Sequence, residues 1–202
     1  MWMLAGIFVF TGSAMTTGAY LTKRTINLKN MLSPGTVTIE LKEPDWETGG
    51  SMLPAESRSK NPTVKNTGTV EAWIFLEVDI PVKKISLVDP DTKRKLPEAR
   101  TELFQFTVNK GWKLLQKTET QDAAHYVYGY ENLVLPFRET TALFDQITIV
   151  PYLEGSLDEK ESLQIPVEAK AIQKNIAPDG TGLKEIYQQY LHHEKNAKEE
   201  HA

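Results

Sequence analysis

The chain has 202 residues, of which 40% are hydrophobic and 9% aromatic, which suits one well-filled domain with appendages and is short for two. Its formal net charge of −4 argues against a nucleic-acid partner, because phosphate binding needs a concentrated basic surface. The chain contains no cysteine, which excludes disulfides, thiolate metal sites and a cysteine nucleophile.

The N-terminal segment has the layout of an export signal. Residues 1–22 contain no charged side chain, and a short apolar run is followed by small residues. This pattern predicts a signal peptide over residues 1–19, cut between Ala19 and Tyr20, although the usual basic opening segment is missing. An uncleaved membrane anchor and an N-terminal core helix are the two competing interpretations.

An extended segment follows the predicted cut. Over residues 20–34, Tyr20, Ile26 and Leu28 lie on one side of an extended chain, and Pro34 with Gly35 ends it. We interpret these residues as an N-terminal extension that can act as a strand. Residues 35–177 are then the predicted domain, which opens with alternating apolar side chains at Val37, Ile39 and Leu41.

The stretch 61–81 organises the domain. It is predicted as a short strand, a tight reversal at residues 66–69 and a long strand, which together form a hairpin. One face of the long strand is wholly apolar and needs a core to cover it. The other face carries Trp73 and Phe75, which also need apolar cover. The first face consists of Ala72, Ile74, Leu76, Val78 and Ile80.

The remaining pattern is that of short strands separated by turns. Residues 82–101 are charged and predict an exposed loop or ribbon, and Pro166 favours an edge or a bulge in the last strand. Together these signals indicate an all-β fold, an antiparallel β-sandwich of jelly-roll type. The further strands are predicted around Phe104, Phe106 and Val108, Trp112 and Leu114, residues 125–135, Ile147 and Ile149, and Leu163 to Ala171.

The period changes near the C-terminus. Apolar residues recur there at helical spacing, which predicts an appended amphipathic helix within the C-terminal segment 178–202. This helix either docks on Trp73 and Phe75 or serves as a partner-binding appendage. Its apolar face consists of Leu183, Ile186, Tyr187, Tyr190 and Leu191.

Several motifs, in order, carry a resemblance to a known family. They are GAYLT at 18–22, GTVTIELKEPDW at 35–46, Leu53-Pro54, NPTVKNTG at 61–68, AWIFLEVDIP at 72–81, NKGW at 109–112 and IPVEAKAIQ at 165–173. In order and spacing, the chain resembles the exported proteins of the TasA and camelysin family over most of residues 18–175.

The resemblance implies a jelly-roll protein that is exported by Gram-positive bacteria and cut by a signal peptidase of the SipW type. It implies a secreted product in the extracellular matrix or at the cell surface, with membrane contact only through the precursor signal. In fibre-forming relatives the freed N-terminal segment adds a strand to the next subunit, so the expected partners are further copies or related matrix subunits. By position, that donor strand contains Tyr20, Ile26 and Leu28. Lys23 and Arg24, together with the C-terminal helix, depart from the family pattern.

Three functions therefore compete. The first is a fibre subunit, for which residues 20–33 can instead pair with their own domain or form a tether. The second is a camelysin-like metalloprotease, against which the chain lacks a His-Glu-x-x-His motif and keeps three of its four histidines in the tail. The third is an envelope binding or accessory protein that uses Trp73, Phe75 and Trp112 as partner-facing aromatics. No catalytic residue, cofactor or metal ligand is predicted.

Overall fold

The computed structural model describes residues 35–46, 52–157, 163–176 and 180–199, all within the compact unit Gly35–Ala202. Within those ranges the chain forms ten strands, a short 3-10 helix at Lys174–Ile176 and one α-helix. The elements are β1 (Ile39–Lys42), β2 (Ser57–Ser59), β3 (Thr63–Asn66), β4 (Ala72–Ile85), β5 (Ala99–Glu102), β6 (Phe104–Gln105), β7 (Trp112–Glu119), β8 (Ala123–Tyr130), β9 (Gln146–Ile149), β10 (Val167–Gln173) and α1 (Leu183–Glu199).

All strand pairs in the described chain are antiparallel, which confirms the all-β prediction. The largest sheet has the order β10-β4-β8-β7, and β5 pairs with the last four residues of β4. A second sheet pairs β1 with β3, and a third has the order β2-β9-β6. β4 therefore pairs with β10 and β8 over residues 72–81 and with β5 over residues 82–85, so it connects most of the described strands.

Strict alternation along β4 places one face in the main core. The predicted set Ala72, Ile74, Leu76, Val78 and Ile80 is fully buried. These side chains belong to one buried cluster with Val64 of β3, Phe104 of β6 and Ile147 of β9. The large sheet therefore buries this face together with side chains from both smaller sheets, as the apolar period of two requires.

The predicted hairpin of β3 and β4 is wrong, because the two strands belong to different sheets. β3 pairs with β1, whereas β4 pairs with β8, β10 and β5. The buried side chain of Asn66 explains the change of direction. Its amide nitrogen donates to the carbonyls of Val70 and Val134, at 2.8 and 2.9 Å, and its oxygen accepts from the N–H of Gly68 at 2.9 Å. These bonds hold the segment that connects β3 in one sheet to β4 in another.

The opposite face of the large sheet is covered by α1. Phe75, Val127 and Ile172 form a second buried cluster with Ile186 and Tyr187 of the helix. The rings of Phe75 and Tyr187 have their centroids 5.3 Å apart. The Tyr187 hydroxyl donates a hydrogen bond of 2.7 Å to the Glu77 carboxylate. The alternative in which the helix docks on the sheet is thereby confirmed.

Local differences from the predicted strands have local causes. The exposed ribbon predicted over residues 82–101 is found over 91–100, whereas β4 continues to Ile85 and buries Val82 and Ile85. β10 begins directly after Pro166. In β7 the register shifts between Leu114 and Gln116, and Leu114 is half exposed rather than a continuation of the apolar face. Such a bulge inserts an extra residue after Leu114 and ends the simple alternation there, although it does not account for the exposure of Leu114 itself.

Two Leu-Pro-x turns show backbone strain. In the turns at Leu53 and Leu135, the N–H of the fourth residue donates to the leucine carbonyl, at 2.9 and 3.1 Å. The third residues, Ala55 and Phe137, have φ of +63° and +62°. This is the left-handed region that a type II turn requires and that glycine adopts most easily.

Relief of this strain is testable. Replacing Phe137 by glycine should raise the free energy of unfolding by about 0.5–1 kcal/mol, because the left-handed conformation costs a side chain about 1–2 kcal/mol and the greater freedom of glycine in the unfolded chain offsets part of that gain. Ala55→Gly is the matched variant at an exposed alanine with the same φ and should give a gain of the same sign. Urea denaturation of both variants measures the change, and a loss of stability at both positions would contradict the strain argument.

Candidate functional site: the outer edges of β1 and β10

The outer edge of β10 is a candidate site for strand addition. The N–H of Asp79 donates to the Pro166 carbonyl, and the N–H of Lys174 donates to the Glu71 carbonyl, both at 3.1 Å. With the observed register, the even-numbered residues of β10 therefore bond to β4. Because bonding alternates along an antiparallel strand, the backbone groups of the odd-numbered residues, 167, 169 and 171, point away from β4.

The side chains at this edge are apolar and partly buried. Val167, Ala169 and Ala171 pack against the main core cluster. Among the described residues, no strand pairs with the outer side of β10. Two of the three side chains are only methyl groups, so an added strand could bring its own larger side chains towards this core.

The outer edge of β1 likewise combines backbone groups that point outward with apolar side chains that are partly buried. The N–H of Thr67 donates to the Thr38 carbonyl at 2.9 Å. Because bonding alternates along the strand, the backbone groups of Ile39 and Leu41 point away from β3. Both side chains are partly buried against the main core. In the part of the chain that the structure describes, β1 pairs with β3 alone and lies close to β10. Two apolar edges therefore run near each other.

The edge at β7 is different, because it carries charges and a bulge. Lys113, Lys117 and Glu119 are exposed along it, and the bulge disturbs the ladder. Lys117 bonds to Glu102 at 2.7 Å and to Glu119 at 2.9 Å. The hydrogen bonds to Glu102 and then Glu119 hold the pKa of Lys117 above its ordinary value, while Lys117 lowers the pKa of Glu119. Charged, irregular edges of this kind resist pairing with another strand.

Two of the three aromatics predicted to face a partner are buried instead. Phe75 is fully buried beneath α1, Trp112 is 7% exposed, and Trp73 packs at the side of the helix-covered cluster. The indole N–H of Trp112 donates to the Thr141 carbonyl at 3.0 Å. The partner-facing prediction is therefore wrong for Phe75 and Trp112, which the helix and the loop around Thr141 cover, whereas Trp73 is only partly buried.

The other predicted site residues lie outside the described residues. This holds for the cleavage pair Ala19 and Tyr20 and for the donor-strand residues Tyr20, Ile26 and Leu28. Those predictions stay predictions.

The histidines of the described chain do not come together in one site. His125 lies in β8, as expected of a strand residue, with its Nδ1 atom 2.7 Å from the Asp79 carboxylate. His192 lies in α1. Within the ranges that the structure describes, no three histidine, aspartate or glutamate side chains are grouped to hold a metal ion.

Sequence reasoning missed three exposed apolar side chains, Leu53, Leu135 and Phe137, with exposures of 70%, 48% and 68%. The repeated Leu-Pro pair is the signal that could have found them, because proline favours the second position of a turn and turns run over the protein surface.

Comparisons with protein-family models, curated proteins and solved structures found no match to this chain. In the described part of the chain, no helix combines the length and the apolar character needed to cross a membrane.

Proposed function

We propose that the protein is an exported structural subunit of a bacterial cell-surface or matrix fibre, related to the TasA and camelysin family. In this proposal the three sheets form a β-sandwich of jelly-roll type, with α1 as an added cover. The mature chain begins at Tyr20, and residues 20–33 leave one copy to pair with a sheet edge of the next. Its partners are further copies or related matrix subunits.

The outer edge of β10 carries this proposal. It combines outward backbone groups at three positions with small, half-buried apolar side chains, and its two charged residues, Glu168 and Lys170, occupy positions that bond to β4. An added strand would gain main-chain hydrogen bonds and bury the apolar side chains of Tyr20, Ile26 and Leu28. Head-to-tail donation does not close on itself, so it produces filaments.

Truncation tests the donor segment. Purified protein beginning at Tyr20 should form filaments in electron micrographs and sediment as large species. Protein beginning at Gly35 should remain monomeric, because it retains the compact unit but lacks the segment to donate. Filaments from both proteins, or from neither, would remove residues 20–33 as the donor.

A proline scan tests the receiving edge. Ala169→Pro removes an N–H that points away from β4, so the fold should persist while an incoming strand loses a hydrogen bond and meets the ring. Leu114→Pro is the matched control. The N–H of Glu131 donates to the Gly111 carbonyl, so by alternation the backbone groups of residue 114 point away from β8. Ala169→Pro should abolish filaments and Leu114→Pro should not. Equal assembly by both folded variants would contradict the choice of edge.

A further inference from the structure

Exposed apolar side chains lie at the two ends of β4. At its beginning, Ala72 exchanges backbone hydrogen bonds with Val134, and the N–H of Phe137 donates to the Asn66 carbonyl at 2.8 Å. Leu135 and Phe137, which we name the corner patch, therefore lie at this end. Their exposures of 48% and 68% leave both side chains largely in water.

The second group lies beyond the other end of β4. Leu87, two residues past the strand, bridges to Tyr152, whose hydroxyl donates to the Met52 carbonyl at 3.0 Å. The N–H of Leu96 donates to the Leu87 carbonyl at 2.9 Å. Leu53 and Leu96, 70% and 38% exposed, form what we name the distal patch. The 14 residues of β4 separate the two patches, by roughly 45 Å of extended chain.

The described chain begins at the corner patch. Gly35 lies against the Val70 side chain, and the Val70 carbonyl accepts a hydrogen bond from the Asn66 amide. The residues that precede Gly35 therefore join the domain at the end of β4 where Leu135 and Phe137 lie. A donated segment that ends at residue 33 leaves only Pro34 between it and this corner.

Strand direction fixes which end of the receiving copy is reached. β10 is antiparallel to β4, so it runs towards the corner, with Val167 opposite Val78 near the middle of β4 and Gln173 opposite Ala72. A strand added antiparallel to β10 must run away from the corner. Residues 20–33 are twice as long as the 7 residues of β10, so a donor that starts at the corner and stays extended ends, with its attached domain, towards the distal end of the receiving copy.

We infer that the corner patch of one copy packs against the distal patch of the next copy in the fibre. This inference rests on the proposed strand donation and adds a second surface to it, a direct contact between domains. Because the two patches differ and lie at opposite ends, the contact is heterologous and repeats along a filament. The strained φ of Phe137 agrees with this role, since strain at an exposed position is often kept where the side chain serves binding.

Cross-linking tests the contact without a background, because the natural chain has no cysteine. Full mature chains carrying Phe137→Cys and Leu53→Cys are mixed, assembled and treated with a short bis-maleimide. Mixed filaments should give covalent dimers, whereas filaments of either variant alone should not. Leu114→Cys replaces Leu53→Cys as a control with a half-exposed leucine on β7 and should give none.

Two outcomes would overturn the inference while leaving strand donation intact. They are filaments without dimers in the mixture, and dimers from Phe137→Cys alone, which would mean corner-to-corner packing. Failure of the unaltered chain to form filaments would instead remove the proposed function itself.

A glycine variant separates assembly from stability. Phe137→Gly should make the domain more stable, as argued above, yet raise the critical concentration for filaments about tenfold, which corresponds to about 1.4 kcal/mol. The measurement is light scattering against protein concentration, with Leu114→Ser as the control. An unchanged critical concentration would show that the Phe137 side chain does not contribute to assembly and would overturn the inference.

Discussion

Replacing Asn66 by alanine should lower the free energy of unfolding by about 1.5–4.5 kcal/mol, because three hydrogen bonds of a buried amide are lost, each worth about 0.5–1.5 kcal/mol. The Asn66 side chain is fully inaccessible and bonds to Val70, Val134 and Gly68. The Val134 carbonyl keeps its bond from the N–H of Ala72, and the N–H of Gly68 keeps its bond to the Thr38 carbonyl, so the Val70 carbonyl is the group that loses its partner. A loss of this size is a large fraction of the whole stability of many domains, about 5–15 kcal/mol.

Chemical denaturation followed by tryptophan fluorescence measures this loss. Asn109→Ala is the matched control, because the Asn109 amide also bonds to a carbonyl, that of Ala142 at 3.2 Å, and to the Asp145 carboxylate at 3.0 Å, but in a less buried place. We expect the control to cost about 1 kcal/mol. Similar values for the two variants would show that Asn66 does not organise the passage between the sheets.

Replacing Phe75 by alanine should cost about 3–5 kcal/mol, the usual range for removing a buried aromatic ring. Phe75 is fully buried between β4 and α1, and its ring contacts Tyr187. The cavity would lie directly beneath the helix, so we expect α1 to loosen before the sheet unfolds.

Denaturation followed in parallel by far-ultraviolet circular dichroism and by tryptophan fluorescence tests both parts of this prediction. Phe137→Ala serves as the control, because its ring is 68% exposed and the turn keeps the same strain. A control effect within about 0.5 kcal/mol is expected for an exposed site. If Phe75→Ala behaved like the control, α1 would not be held by this ring.

The large sheet shows why some elements could be predicted and others not. Alternation along β4 and helical spacing in α1 are local properties of the chain, and both elements form where the sequence indicates them. The need to cover Phe75 was also visible, since an apolar residue on the polar face of a strand requires a second layer. The partner-facing role given to the same ring was wrong, because the sequence does not say whether α1 covers this face or leaves it free.

The edges of the sheets could not be derived from the sequence. Asn66, Thr67 and Gly68 have the composition of a hairpin turn, yet in the structure the Asn66 side chain bonds to carbonyls on either side of the passage from β3 to β4. Bonds to Val134 join residues far apart in the chain, which no local pattern reports. The pairing of strands also determines that the backbone groups of Ala169 point away from β4 and that Leu53 and Phe137 lie at opposite ends of β4.

The sequence by itself determined the alternation along β4, the β-rich class and the position of the C-terminal helix, because these depend on neighbouring residues and on which side chains avoid water. Only the tertiary structure decided which strands pair, which edges stay open to the outside within the described chain and which aromatics are covered. Those choices depend on hydrogen bonds and contacts between distant segments, and many strand orders satisfy the same local pattern.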